Sequence, residues 1–281
     1  ERFRRDGFVV VDPFFSAHEV AALQGGFEEL LAAGKLANVA TDFDRATRRD
    51  DKVNLQVCPL SYHHPLFAAL PFHDKVRALV TELLGGPAYK FLDQIFYKPG
   101  RVGIGTNWHQ DNHYFGVDDP FLGLGLWIAI HDANRANGAL RVLPGYAARP
   151  IQHVPDPESD HHYRMYPPDD AEPVVLEVRA GAVIAFCFNT PHSTTRNDTD
   201  RGRAGLAYHF IRSGQVGVWH EEAVNPHAEF PLWGVEGKEH GPVISGATYS
   251  RGIGEYDRDM EQVLQAEIDR LAYGQPRHPA A

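Results

Sequence analysis

The spacing of apolar positions changes along this chain, and the changes mark its elements. Phe8-Val9-Val10-Val11 is a short branched and aromatic run that predicts a strand, closed by Asp12-Pro13. Val20, Leu23, Phe27, Leu30 and Leu31 then recur at helical spacing. Ser16 precedes them with Glu19 three residues on, the spacing of a capping box, so a helix is expected over about 17–33, ended by Gly34. A second helix is expected over about 66–84. There Leu66, Leu70, Val76, Leu79, Val80, Leu83 and Leu84 are apolar, and Gly85-Gly86-Pro87 stops the run. From residue 89 the texture shifts to short apolar runs broken by Gly and Pro. Strands are expected near 89–97, 122–131, 139–143, 173–178, 182–188 and 205–211. Many short strands between turn signals indicate a sandwich or barrel, not a doubly wound sheet. A last helix is expected over about 255–272, with Met260, Val263, Leu264, Ile268 and Leu271 on one face.

Three stretches lack any period: 35–62, 146–172 and 213–254. The first holds the charged run 42–52, which cannot bury enough surface to order itself. Long loops in compact domains often cover binding sites. The expectation is a mobile lid over 35–62, with 146–172 as the opposite wall of a mouth. There is no internal repeat. One domain over 1–281 is the economical reading, with a β core at about 89–212 and helices from both ends packed on it.

Composition narrows the function classes. With 281 residues, 43% of them hydrophobic, the chain can bury a substantial core. The formal charge is −10 and no Lys/Arg cluster tracks phosphates, so nucleic acid is not the expected partner. No apolar run has the roughly 18 residues a spanning helix needs, so no membrane partner is expected. Two cysteines, Cys58 and Cys187, lie far apart and offer no disulfide framework, which points to a reduced, cytoplasmic setting. A small-molecule substrate is the partner this leaves. Oligomeric state leaves no mark in the sequence.

The chemistry centres on Thr106-Asn107-Trp108-His109-Gln110-Asp111-Asn112-His113-Tyr114-Phe115. On an extended strand His109 and Asp111 point to one face and can grip one cation. His192 is a third candidate ligand. Two His and one carboxylate with open positions is the set used by non-haem Fe(II) oxygenases, although zinc accepts it too. Arg203 follows His192 by eleven residues across a polar turn. Its strand is expected to return beside the one that holds His192 and to aim a guanidinium fork into the same cavity, where it could bind a carboxylate. Lys98 could pair with that carboxylate, and Trp127 could wall the pocket. Two other classes use the same residues differently. One is a cosubstrate-independent hydrolase or isomerase on a cupin-like barrel, against which Lys98 and Arg203 weigh. The other is a non-catalytic β-sandwich binding module with structural histidines.

Taken in order, Gln94-x-x-x-Lys98-Pro99-Gly100, Trp108-His109-Gln110-Asp111, Asn137-Gly138-Ala139-Leu140-x-Val142-x-Pro144-Gly145, Pro191-His192-Ser193 and Arg203 resemble the phytanoyl-CoA dioxygenase family, as does the opening Asp6-Gly7-Phe8-Val9-Val10-Val11. The resemblance covers about residues 2–212. It implies a double-stranded β-helix core (jelly-roll, cupin-like) with flanking helices, and Fe(II), 2-oxoglutarate and O2 as the reacting set. It implies His109, Asp111 and His192 as iron ligands. It assigns Lys98 and Arg203 to the far carboxylate of 2-oxoglutarate, with Trp127 and Thr194 touching the same cosubstrate. Where the family usually continues Pro-Gly-Ser-His, this chain has Pro144-Gly145-Tyr146-Ala147, so no substrate contact is carried over there. Related halogenases replace the carboxylate ligand by Gly or Ala, and Asp111 argues against that chemistry. The implied outcome is oxidation of a substrate by hydroxylation, desaturation or ring closure. The polar loops favour a polar small molecule, sugar-like or amine-bearing, in secondary-metabolite (antibiotic) biosynthesis. Asn112, His113, Phe115 and Arg141 are the candidate substrate contacts, chosen for nearness in sequence to the metal motif.

Overall fold

Thirteen strands and six α-helices emerge in a computed structural model that describes residues 1–86, 88–212 and 253–274. The strands are β1 (Phe8–Val11), β2 (Ala37–Asn38), β3 (Leu55–Val57), β4 (Ala88–Lys98), β5 (Thr106–His109), β6 (Gly123–Ala129), β7 (Leu140–Val142), β8 (His153–Pro155), β9 (Tyr163–Met165), β10 (Val174–Leu176), β11 (Val183–Cys187), β12 (His192–Thr194) and β13 (Arg203–Arg212). The helices are α1 (Arg2–Asp6), α2 (Ala17–Ala32), α3 (Pro65–Ala69), α4 (Asp74–Leu84), α5 (Asn112–Phe115) and α6 (Ile253–Gly274). No described helix is long and apolar enough to cross a membrane. The stretch expected to be irregular, 213–254, lies outside the described residues except for its last two.

The larger sheet runs β1-β11-β6-β13-β4-β3-β2 and the smaller β10-β7-β12-β5, while β8 and β9 pair alone. All strand pairings are antiparallel. From β4 onward the core strands pass back and forth between the sheets, with β4, β6, β11 and β13 in the larger and β5, β7, β10 and β12 in the smaller, and only the successive core strands β7 and β10 staying in one sheet as a pair. This is the double-stranded β-helix.

Side chains on successive residues of a strand face opposite ways, and that divides each central strand between two cores. Leu124, Leu126 and Ile128 of β6, Val183, Ala185 and Cys187 of β11, and Ala204, Leu206, Tyr208 and Phe210 of β13 join the core under the helices. Trp127 and Ala129, Ile184 and Phe186, and Ala207 face the inside, between the sheets. Helices α2, α3, α4 and α6 cover the outer face, and Met260, Leu264, Ile268 and Leu271 of α6 are buried there. At Gly205 a Cβ would stand 2.3 Å from the Trp127 ring. The indole can lie against β13 only because that residue has no side chain.

The structure redraws two expected elements. The helix predicted over 66–84 is broken into α3, a 3-10 turn at Leu70–Phe72 and α4. Pro71 lacks the N–H a continuing helix needs, and His73 starts α4 afresh, its Nδ1 accepting from the Lys75 N–H at 3.1 Å. The stretch 35–62 is not only loop. Its two ends, β2 and β3, extend the larger sheet beyond β4.

The capping box at Ser16 forms. The Ser16 N–H donates to Glu19 Oε2 at 2.6 Å and the Glu19 N–H to Ser16 Oγ at 3.3 Å. Glu19 also meets His73 Nε2 at 2.5 Å and Lys75 Nζ at 3.2 Å, tying the start of α2 to the start of α4. Burial opposes the charge, but these donors outweigh it and hold the Glu19 carboxyl down at about 2. A depressed carboxyl stabilises the fold once ionised, and that contribution fades as pH falls through its folded pKa. The stability gap between the native chain and Glu19→Gln is therefore expected to be full above about pH 4.5 and to close towards pH 2. Urea unfolding at stepped pH measures it; a gap independent of pH over that range contradicts the assignment.

Candidate active site

Between the two sheets lies a cavity of about 520 Å³. Its chemistry begins where β12 pairs with β5, a register that sets His192 opposite His109. Both imidazoles face inward, their ring centroids 4.1 Å apart. Each is fixed from behind. The Nδ1 of His109 lies 2.8 Å from the Asn107 carbonyl and the Nδ1 of His192 lies 3.0 Å from the Thr190 carbonyl. A carbonyl only accepts, so Nδ1 carries the proton and Nε2 presents its lone pair to the cavity.

Asp111 reaches the same point by a different route from the one expected. It is not on the strand: β5 ends at His109, and Asp111 has helical backbone (φ −58°, ψ −33°) at the start of α5. Gln110 holds this bend. Its Nε2 donates to the carbonyls of Arg149 and Asn189 at 2.7 Å each, and its Oε1 accepts from the Ile151 N–H at 2.8 Å. Asp111 Oδ1 then stands 3.7 Å from His109 Nε2 and 3.6 Å from His192 Nε2. One donor atom from each of the three residues falls within 4.8 Å of the other two. These gaps are too long for hydrogen bonds and suit ligands that each sit about 2 Å from one shared ion. Burial and the neighbouring His192 push His109 down to about 3, so it is neutral, as a ligand must be. Burial opposes the charge on Asp111, but His192, His209 and His109 hold it below the usual carboxylate range. The donor set fits a divalent iron.

The far end of the cavity is cationic. In the register of β13 against β4, Arg203 lies opposite Lys98. The strand of Arg203 is therefore not beside that of His192, as expected, but in the facing sheet, and the guanidinium enters from the opposite wall. Lys98 Nζ donates to Thr194 Oγ1 at 2.6 Å and to the Thr195 carbonyl at 2.5 Å. Arg203 donates to the Gly138 carbonyl, its guanidinium carbon is 5.6 Å from the centre of the Trp127 ring, and its Nε has no acceptor. Both side chains are only 1% exposed. Burial lowers Arg203 to about 10 and leaves it charged at neutral pH. Burial, then Arg203 and Arg141, lowers Lys98 well below its ordinary value. Among the described residues no carboxylate pairs with either group. A buried guanidinium and a buried amine are costly to keep charged without a counter-charge, and a carboxylate arriving from outside removes that cost.

Of the four residues chosen as substrate contacts, only Phe115 lines the cavity. The Asn112 amide accepts from the Val117 N–H at 2.8 Å and donates to its carbonyl at 2.9 Å, closing the turn after α5. His113 stacks on His153 at 4.3 Å. Arg141 lies on the face of β7 opposite Leu140, over Trp108 at 5.0 Å, and donates to Ser193 Oγ at 3.1 Å. Nearness in sequence fails as a guide here: α5 turns Asn112 and His113 away while bringing Phe115 in, and Arg141 sits on the other face of β7. His209 was missed. Its Nε2 stands 3.3 Å from Asp111 Oδ2. Counting by two along β13 from Arg203, through Gly205 and Ala207, puts it on the cavity face; the same count back from Lys98 gives Phe96, Gln94 and Leu92, which also line it.

The two polar loops do not face each other across the mouth. They are fastened together on one side of it. Thr41 N–H donates to the Glu158 carbonyl at 2.9 Å, and Thr41 Oγ1 to that of Pro157 at 2.8 Å. Arg45 donates to the carbonyls of Asp156, His162 and Asp160. Lys52 pairs with Glu158 at 3.0 Å, and Arg48 with Asp160. The charged run 42–52 is thus ordered by partners far away in sequence, not by surface it could bury itself.

Comparison with known proteins places this geometry. The family model described as "Phytanoyl-CoA dioxygenase (PhyH)" matches residues 3–205. Among curated proteins, the ectoine dioxygenase of Stutzerimonas stutzeri (strain A1501) is 26% identical over 226 residues, 74% of each chain. Phytanoyl-CoA dioxygenase 1 of Oryza sativa subsp. japonica is 28% identical over 246 residues, 74% of this chain and 86% of that one. Among solved structures, the epimerase SnoN in complex with Fe3+, alpha ketoglutarate and nogalamycin RO superposes with a TM-score of 0.67 at 21% identity, covering 89% of this chain and 93% of that one. EctD from S. alaskensis, with 2-oxoglutarate and 5-hydroxyectoine, superposes at 0.58 with 24% identity, covering 75% of this chain and 74% of that one. With the family model spanning most of its length, this chain belongs to the phytanoyl-CoA dioxygenase family, and it is an iron- and 2-oxoglutarate-dependent oxygenase.

Proposed function

We propose that His109, Asp111 and His192 hold the iron, that Lys98 and Arg203 hold the far carboxylate of 2-oxoglutarate, and that the enzyme oxidises a polar small molecule of secondary metabolism. The observation that carries this reading is the pair of buried cations without a carboxylate in the same cavity as the His-Asp-His cluster. A hydrolase or isomerase that works without a cosubstrate has no use for that pair, and a binding module has no use for the cluster. Some of the names favour a polar small molecule: ectoine for several of the curated proteins, beside others named for phytanoyl-CoA, and nogalamycin biosynthesis for SnoN and for the carbocyclase SnoK.

Iron with 2-oxoglutarate and oxygen supplies the oxidising power, and the cosubstrate leaves as succinate and carbon dioxide. The chain does the rest. Lys98 and Arg203 draw in the far carboxylate by charge, and Trp127 and Thr194 hold those two cations in place. A cosubstrate anchored at that end presents its keto-acid end to the cluster. The backbone carbonyls of Asn107 and Thr190 keep both imidazoles in the tautomer that binds a metal. Phe115, Leu92 and Phe186 line the space beside the cluster and keep water from the reacting centre. Oxidation at a substrate C–H by hydroxylation, desaturation or ring closure is the outcome this arrangement serves.

Two substitutions test the assignment. Changes outside the ligand sphere already cost about 10- to 100-fold in metal affinity, so Asp111→Ala, which removes a ligand, is expected to weaken Fe(II) binding by more than about 100-fold. Anaerobic titration measures it, and native-like affinity places the iron elsewhere. Arg203→Ala loses a charge-assisted pair worth on the order of 1.5–3 kcal/mol, so the KM for 2-oxoglutarate is expected to rise about 10- to 150-fold. Succinate release reports it; an unchanged KM removes Arg203 from the cosubstrate and revives the cosubstrate-free readings.

A further inference from the structure

One polar side chain on the cavity wall has no task in what precedes. Gln56 lies on β3, directly opposite Phe96 on β4. Paired residues on neighbouring strands share a face. Val57 and its partner Ile95 face the helices, in the outer core. Gln56 and Phe96 therefore face the cavity, and both line it. Gln56 is only 5% exposed, and its Nε2 is buried without an acceptor. A strand needed only to close the wall would be better served by an apolar residue there, as Val39, Leu92 and Phe96 show nearby. A buried donor left unpaired costs stability, so its presence points to a partner that arrives from outside.

We propose that Gln56 is a specificity-determining residue for the prime substrate, its amide nitrogen donating to a carbonyl or hydroxyl oxygen of an uncharged molecule seated beside the His109–Asp111–His192 cluster. This deepens the oxygenase reading and rests on it. The uncharged character follows from what the other groups on the wall already do. Asp160 is taken by Arg48 and His161. Asp111 belongs to the histidine cluster. Lys98 and Arg203 stand at the cosubstrate's end. Among the described residues lining the cavity no carboxylate is left to meet an ammonium group, and no cation is left to meet an acid. The Gln94 side chain, two residues from Phe96 on the same face of β4, adds a second amide to this wall. The substrate is thus read by amides, as an oxygen-bearing neutral compound, and the amine-bearing scaffold entertained from the loop composition is set aside.

The test uses the Fe(II)- and 2-oxoglutarate-loaded protein under nitrogen, with ligand-observed NMR. The probes are cyclohexanone, cyclohexanol and δ-valerolactam, set against cyclohexylamine and cyclohexanecarboxylate. The neutral probes are expected to bind the native protein in preference to the charged pair. Gln56→Leu is expected to weaken them about 2- to 12-fold, with 2-oxoglutarate affinity unchanged. Gln56→Glu, which turns the donor into an acceptor, is expected to shift preference to cyclohexylamine. Without any ligand, Gln56→Leu is expected to melt at or above the native temperature, because it removes an unpaired buried donor. Equal binding of the neutral probes to the native protein and Gln56→Leu overturns the proposal. So does a native preference for a charged probe, or failure of every neutral probe to bind. Failure of the native protein to bind 2-oxoglutarate is a separate result: it strikes the oxygenase reading, while the probes are still compared on the protein alone.

Discussion

The active site depends first on register. β12 is three residues long and β5 four, yet their antiparallel pairing is what sets His192 opposite His109. A slip of β12 by one residue would turn His192 out of the cavity and away from His109. β12 is held against that slip from its other side as well, where β7 pairs with it residue for residue. In the facing sheet the pairing of β13 with β4 does the same for Arg203 and Lys98. The chemistry is thus distributed over four strands in two sheets, and no single segment carries it. Only the fold brings a basic end and a His-Asp-His cluster to opposite reaches of one cavity.

The same cavity concentrates what the fold would do better without. Arg203 and Lys98 are buried without a carboxylate, and Arg203 Nε and Gln56 Nε2 have no acceptor. Each is unfavourable for the empty protein. The helix-covered face of the larger sheet is the counterweight. There Leu124, Leu126, Ile128, Leu206 and Tyr208 pack against α2, α3, α4 and α6, and the buried Asp93 opposite Tyr208 is satisfied by Lys90 and Ser61. Each central strand therefore has two jobs on its two faces. One face stabilises the protein, and the other holds polar groups that the protein itself leaves without partners.

Much of this was legible in the sequence. Six of the eight core strands show as apolar runs between turn signals, but β5 and β12, short and polar, do not; the capping box at Ser16 and Glu19 forms as its spacing requires. The fold and the oxygenase class followed from motifs in a fixed order along the chain. The errors share a cause. Asp111 was placed on a strand, Asn112 and His113 in the pocket, and β13 beside β12, all by reasoning from local sequence. What decided each was a contact from elsewhere: Gln110 reaching Arg149 and Asn189, the turn of α5, and the sheet that β13 joins. The loops were misjudged for the same reason. Residues 42–52 have too few apolar side chains to order themselves, but Arg45, Arg48 and Lys52 find partners more than a hundred residues away. His209 was the one avoidable omission, since the period of two from Arg203 leads to it.

The fastening of 41–52 to 156–162 has a consequence for how such an enzyme changes its substrate. Asp160, His161 and His162 of the second segment line the cavity, and so does Val39, just before the first. Each supplies hydrogen-bond and charge partners to the other. A change of length in one segment leaves arginines or carbonyls of the other without partners, so drift in the two must be matched. The inheritable unit of selectivity is then a composite of two distant stretches of the gene. Grafting either alone from a relative carries over half of a structure, and recombination between them separates what selection has fitted together.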